Sequence, residues 1–425
     1  MKKRNVLSIL FISILLLSAC GKQPAETLPE QEQEEISETA PPSDTSSDTP
    51  APEVYTSVSQ STNALGFDLF AALSGEENLC ISPYSIQTAL GMAANGATGT
   101  TLDEMLGTMH VTDMDTFNAD MKASRKKLKK DAMDIRIANS VWQDETIQFS
   151  ESFKSSYIPL LEKTYGAESF QCNFTDGATI DAMNSWIAEA TNDKIDNMIS
   201  ELPEDTGLVL FNAVYFNARW EVPFPKEATF DEEFHGIDGT QTVPFMHLSD
   251  CYFQYYEYKG ITALRMPYKN SDMAMDILIP SQEGQSVTEL FNALSLKEKQ
   301  ELYQGLSDSE EILITSLWMP RFEFSSESIR LNDYLISLGM AEAFSGDAQF
   351  DIIGDSVSIS DVLHKTYIRV DEDGTEAAAV TSVLMSATAL IENPVSFKVD
   401  MPFMYYISDT SDGTILFIGS MNHID

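Results

Sequence analysis

An α+β domain with mainly antiparallel sheets is predicted for residues 58–425, on three observations. Apolar residues recur at helical spacing in the first third of this body. Apolar or alternating runs dominate its later two thirds, and no linker-like stretch recurs after about residue 60. Taken in order, Leu65, Leu69 and Leu73 stand four apart on one helical face. Ser82-Pro83 opens a second helix, because proline in the first turn sacrifices no needed donor. Val209 to Phe216, Met273 to Ile279 and Ile415 to Ile418 read as strands. No internal repeat is present.

The body is preceded by two segments of other character. Lys2, Lys3 and Arg4 lead into an apolar run from Val6 to Ala19, short for a membrane span but built like a secretory leader. It ends in Leu17-Ser18-Ala19-Cys20 before Gly21, which resembles the lipobox of bacterial lipoproteins, so residues 1–19 are expected to be a signal peptide and Cys20 the lipidated N-terminus. Residues 20–57 are rich in Pro, Glu, Ser and Thr with almost no large apolar groups. They cannot bury enough surface to offset ordering and are expected to be a disordered acidic tether. The expected location is therefore outside the bacterial cell membrane, with the domain lipid-anchored and facing the envelope or the exterior.

Charge excludes one class of partner. The chain carries 66 Asp plus Glu against 26 Lys plus Arg, a net charge of -40. Sequence-general binding to nucleic acid needs clustered cations that this surface mostly lacks. The tether accounts for nine acids and one lysine, and three cations precede it, which leaves 57 acids against 22 bases in the body. The acidity thus belongs to the folded part. No G-x-S-x-G elbow, H-E-x-x-H helix, phosphate-binding loop or dinucleotide fingerprint occurs, so no enzyme activity and no cofactor are expected. Cys80, Cys172 and Cys251 lack metal-ligand spacing. Asp371-Glu372-Asp373-Gly374 begins like a calcium loop but lacks the later ligands, and no metal is expected.

One stretch stands apart from this composition. Ala377 to Ile391 runs for fifteen residues without charge or proline, flanked by the turn-forming Asp371-Glu372-Asp373-Gly374 and Glu392-Asn393-Pro394. By composition alone it would be a core segment. However, Val370 to Thr381 (VDEDGTEAAAVT) resembles the reactive-loop hinge of inhibitory serpins, EEGTEAAAAT. The resemblance extends over about residues 60–425. Asn78 to Ile86, Thr101 to Leu106, Asn184-x-Trp186 with Thr191 and Lys194-Ile195, and Asn212 to Phe216 with Trp220 and Phe224 all match. Met266-Pro267-Tyr268, Met319-Pro320-x-Phe322, Leu338-Gly339-Met340 with Phe344, Ser360 to Lys365, Asp400 to Phe403 and Gly413 to Gly419 continue in the same order. Departures are few: Asp193 replaces a glycine, and Met401 replaces the Arg or His before Pro402.

The resemblance implies a single serpin domain of three β-sheets wrapped by about eight or nine helices, with an exposed reactive loop. It implies a suicide-substrate inhibitor of serine proteases: the loop is cleaved, an acyl-enzyme forms, and the hinge inserts as a new strand and disables the protease. The hinge residues would be Gly374, Thr375, Glu376, Ala377, Ala378 and Ala379. In a strand Thr375, Ala377, Ala379, Thr381, Val383 and Met385 share one face and are all uncharged. A shutter at the opening point is implied at Ser82, Ser85, Asn212 and His364. Counted from the hinge, the reactive bond is Thr388–Ala389; Met385, Leu390 and Ile391 are alternatives, because the loop is three residues longer than is common in the family. The lack of Arg and Lys from 377 to 391 favours elastase-, subtilisin- or chymotrypsin-like proteases, with cysteine proteases a further target class. A non-inhibitory surface binding protein, cleaved without trapping, is the alternative. A monomer is expected.

A further exception is cationic. Lys122, Arg125, Lys126, Lys129 and Lys130 have helical spacing beside Phe117, Met121 and Leu128. By resemblance this is the fourth helix, where some relatives bind polyanions. The same residues also read as a solvated face suited to the helix dipole.

Overall fold

Residues 9–19, 57–128, 134–195, 198–203, 206–355, 357–375 and 395–424 are described by a computed structural model, the first segment by its backbone alone. The helices are α1 (Val58–Leu73), α2 (Pro83–Ala94), α3 (Gly99–Thr108), α4 (Met114–Leu128), α5 (Ile158–Thr164), α6 (Gly177–Ala190), α7 (Val287–Asn292), α8 (Leu296–Asp308) and α9 (Asn332–Ser337). Local chemistry sets their starts. The Ser57, Ser82, Asp176 and Ser286 side chains each accept a backbone N–H of the first turn, and Ser295 with Glu298 closes a capping box. Every residue of α2 is buried, so this helix lies inside the molecule. Ile86, Leu90 and Met92 have no exposure, and burial of such side chains stabilises by roughly 2 kcal/mol each. A Cβ on Gly66 would stand 2.4 Å from Pro83 Cγ, so glycine is what lets α1 approach α2.

The strands are β1 (Ile9–Ala19), β2 (Leu79–Ile81), β3 (Asp134–Asp144), β4 (Ala167–Cys172), β5 (Thr206–Arg219), β6 (Thr229–Gly236), β7 (Gly239–Tyr258), β8 (Ile261–Pro267), β9 (Met273–Pro280), β10 (Glu311–Pro320), β11 (Phe322–Ser325), β12 (Ile329–Arg330), β13 (Val357–Val370), β14 (Gly374–Thr375), β15 (Val395–Lys398), β16 (Phe403–Asp409) and β17 (Thr414–Met421). The first sheet has the order β11-β13-β1-β5-β3-β4, with β12 on β13 and β14 on β5. A second hydrogen-bonded path runs β15-β10-β7-β8-β9-β16-β17-β2, with β6 on β7. The length of β7 makes this path two sheets. Its first part pairs with β6 and β10, and its last residues, from Gln254, pair with β8. The expected three-sheet α+β fold is therefore present, with nine α-helices among the described residues.

The first sheet has two packed faces. Leu208, Leu210, Val214 and Phe216 of β5 join the main core with α2, whereas Val209, Phe211, Ala213 and Tyr215 join a smaller core with Met183 and Ile187 of α6. β5 is thus buried on both sides, which explains its continuous apolar run. Asp193, where relatives carry glycine, sits at φ +61, a conformation that glycine adopts without strain.

Candidate strand-insertion site

Ser82, Ser85, Asn212 and His364, scattered over nearly three hundred residues, converge where the N-terminus of α2 meets the first sheet. The Ser82 backbone N–H donates to His364 Nε2 at 3.0 Å, and Ser85 N–H donates to Ser82 Oγ at 3.2 Å. Ser85 Oγ donates to Asn212 Oδ1 at 2.5 Å. Asn212 Nδ2 continues the chain to Asn139 Oδ1, and Asn139 Nδ2 donates to the Tyr165 carbonyl. All four predicted residues are fully buried. Each bond is worth about 1 kcal/mol net, and a stranded partner costs ~1–3 kcal/mol, so breaking this network without new partners is costly. Nothing in the sequence marks Asn139 as a member. Its register opposite Asn212 in the β3–β5 ladder is what brings it in.

Between β5 and β13 lies a strand position that neither fills itself. β1 occupies it, antiparallel to both neighbours: Ser13 stands opposite Asn212 on one side and His364 on the other. One row across the sheet therefore reads Asn139, Asn212, Ser13, His364. The two edges together accept a strand of eleven residues.

At one end of the same position lie Gly374 and Thr375, the first residues of the expected hinge. After β13 the chain turns through Asp371 to Gly374, with reciprocal backbone bonds between these two residues, and Gly374 and Thr375 pair with Arg219 and Ala218 of β5. Gly374 has φ +147, and a Cβ there would lie 2.2 Å from the Ala218 carbonyl oxygen. Only glycine fits this turn. Thr375 is fully buried, and its Oγ1 is 2.7 Å from Tyr268 Oη. Tyr268 stacks on Trp220 at 4.7 Å, and Trp220 Nε1 donates to the Asp371 carbonyl at 3.0 Å.

Charged groups pin the turn. Arg321 and Thr229 Oγ1 donate to the Glu372 carboxylate, and Lys226 Nζ lies 2.6 Å from Asp373. Burial pushes the Glu372 carboxyl up, but the Arg321 and Thr229 hydrogen bonds outweigh it and hold the group below its ordinary value. Asp371 moves the other way, raised mainly by burial. Trp220 and Tyr268 belong to recognisable sequence motifs, but nothing in the sequence marks them as partners of Thr375. Glu376, Ala377, Ala378 and Ala379, and the bond candidates Met385, Thr388, Ala389, Leu390 and Ile391, lie outside the described residues, as do Cys20, Lys129 and Lys130.

On α4, Phe117, Met121 and Leu128 are buried as expected. Arg125 Nε donates to the Thr164 carbonyl, and Lys127 pairs with Asp409 and Asp412 at 2.7 Å each. Partial desolvation, then Lys163, Lys126 and Arg125, hold the Lys122 amine below its ordinary value.

Known proteins resemble this chain over the same body. A family profile described as "Serpin (serine protease inhibitor)" matches residues 60–424. An uncharacterized serpin-like protein of Thermococcus kodakarensis is 34% identical over 84% of each chain. Iripin-2 of Ixodes ricinus is 32% identical over 86% of this chain and 94% of its own. Among solved structures, the thermophilic serpin tengpin in its native state is similar with a TM-score of 0.75 and 30% identity, over 86% of this chain and 94% of its own.

Proposed function

This chain belongs to the serpin family, the protease inhibitors that are not themselves enzymes, and we propose that it is a suicide substrate of serine proteases whose hinge inserts between β5 and β13. One observation carries this reading: Gly374 and Thr375 already pair with the β5 edge at the end of a position that accepts a strand antiparallel to both neighbours. Continuing the Thr375–Ala218 register brings Ala377 opposite Phe216, Thr381 opposite Asn212 and Met385 opposite Leu208. Directly paired residues share a face, so Thr375, Ala377, Ala379, Thr381, Val383 and Met385 enter the main core, where Leu208, Leu210, Val214 and Phe216 lie. None is charged, and none is proline. Thr381 falls in the polar row, where its hydroxyl meets Asn212 and His364.

The energy is adequate. Slowing deacylation ~10⁵-fold requires about 7 kcal/mol of distortion of the protease. About ten residues joining two ladders, at about 1 kcal/mol net per hydrogen bond plus apolar burial, exceed that. Small hinge side chains let entry begin before a wide gap opens.

The uncharged loop sets the target class: elastase-, subtilisin- or chymotrypsin-like enzymes cut at Thr388–Ala389 or between 385 and 391, with cysteine proteases second. The leader and the lipobox-like Leu17 to Cys20 support an exported protein held to the membrane by lipid at Cys20. Incubation of the chain starting at residue 20 with a protease panel, then denaturing electrophoresis and mass spectrometry, tests the inhibitory reading. A covalent complex is expected with a protease of small or medium apolar specificity and not with a trypsin-like one. Clean cleavage by every protease would favour the non-inhibitory alternative.

A further inference from the structure

In the full chain, the position that the hinge is to enter is already taken. β1 pairs with β5 from Ile9–Phe216 to Ser18–Thr206 and with β13 from Leu10–Tyr367 to Ala19–Val357. The overlap with the hinge register is residue for residue: Ile9, Ser13 and Leu17 stand opposite Phe216, Asn212 and Leu208, the same partners that the hinge register gives Ala377, Thr381 and Met385. Both segments lack charge and proline, and both put a hydroxyl residue into the polar row. On the β5 edge, Thr375 pairs with Ala218 and Ile9 with Phe216, so hinge and leader meet end to end with only Asn217 between them. Entry of the hinge past Thr375 requires β1 to leave.

We propose that residues 9–19 are an intramolecular plug of the insertion site. While they remain attached, the protein is cut by proteases as an ordinary substrate. Removal of the chain before Cys20 empties the site and arms the trap. The physical basis is competition: two uncharged strands of one molecule contend for the same two edges, and the leader is held at high effective concentration by its tether. A strand already in place also removes the metastability on which trapping depends. The consequence is temporal. A chain that has not lost its leader cannot disable proteases where it is made, and inhibition begins only with leader removal. This inference rests on the trapping reading of the hinge.

The test compares the full chain carrying Cys20→Ser, which retains the leader, with the same chain also carrying Ile12→Asp and Leu16→Asp, which place charges in the strand. The processed chain starting at residue 20 gives the same comparison if the double variant does not fold. Amide hydrogen exchange across 208–216 and 358–366 is measured first, then covalent complex formed per loop cleaved with an elastase-like protease. The Cys20→Ser chain with the unaltered leader is expected to exchange at least about tenfold more slowly in these strands and to yield at least about tenfold less complex per cleavage. Equal exchange in both proteins overturns the plug whatever the trapping result. Different exchange with equal trapping also overturns it, because the leader would then be displaced freely. If exchange differs and neither protein traps, occupancy by the leader stands, and the suicide-inhibitor reading is what fails.

Discussion

The two sides of the molecule solve strand pairing in opposite ways. In the second path, β8 with β9 and β16 with β17 are hairpins whose partners lie close in sequence, and their residues are mostly apolar and, Pro267 apart, all buried. Its main polar feature is a cross-strand ion pair, Arg265 with Asp276, bidentate at 2.6 Å and almost without exposure. In the first sheet, the two strands around the proposed insertion site come from distant parts of the chain. They are bridged by Asn139, Asn212, Ser82, Ser85 and His364, and by a strand from the far N-terminus. Local hairpins fix a register once; the proposed strand replacement needs instead a polar row whose hydrogen bonds can be exchanged. On that reading the contrast separates parts that stay from parts that move.

The largest effect is expected at the hinge. Thr375→Arg puts a cation into a fully buried position beside Tyr268. An unpaired buried charge costs about 3 kcal/mol or more, so complex formation should fall at least ~100-fold while cleavage continues. Gel densitometry of complex against cleaved inhibitor reads this directly, and undiminished complex would contradict insertion from Thr375 onward. On the other side, Arg265→Ala strands Asp276. Denaturant unfolding should show a loss of about 3–5 kcal/mol, with complex per cleavage unchanged in the molecules that remain folded. A change in that ratio would mean that the two regions are coupled.

Asn212→Ala lies between these. It removes the Asn212 hydrogen bonds to Ser85 Oγ and Asn139 Oδ1, at about 1 kcal/mol each. Unlike Arg265→Ala, it should also raise the rate at which the hinge enters spontaneously, measured as loss of inhibitory activity on warming. The smallest effect is electrostatic. Glu372 titrates below its ordinary value, so its contribution is present above the unfolded pKa, about 4.5, and is lost as pH falls through the lower folded value. Asp371, raised by burial, acts in the opposite sense: its charged form costs stability as pH rises through its folded pKa, which blunts the net change. A fluorescence transition of Trp220 below about pH 4.5 is expected in the native protein and should be absent in Glu372→Gln.

The sequence made much of this fold legible, for reasons that particular residues illustrate. Ser82-Pro83 opens α2, Val209–Phe216 lies within β5, and Met273–Ile279 within β9, because capping chemistry and apolar runs act over a few residues. The family motifs imply that Ser82, Ser85, Asn212 and His364 form one cluster, without showing which hydrogen bonds join them. What stayed hidden depends on register between distant strands. Asn139 is an ordinary asparagine until β3 places it opposite Asn212, and Tyr268 is an ordinary core tyrosine until Gly374 turns Thr375 onto it. The pairing of β1 was hidden for the same reason: an apolar run after three cations reads as a leader, and its match to the β5 and β13 edges is a tertiary fact.

The most direct test is a crystal structure of the loop-cleaved protein lacking its leader. Residues 376–385 are expected as a strand between β5 and β13, with Thr381 opposite Asn212 and His364. A cleaved loop lying outside the sheet, or a strand shifted so that Thr381 misses the polar row, would contradict insertion as the basis of function.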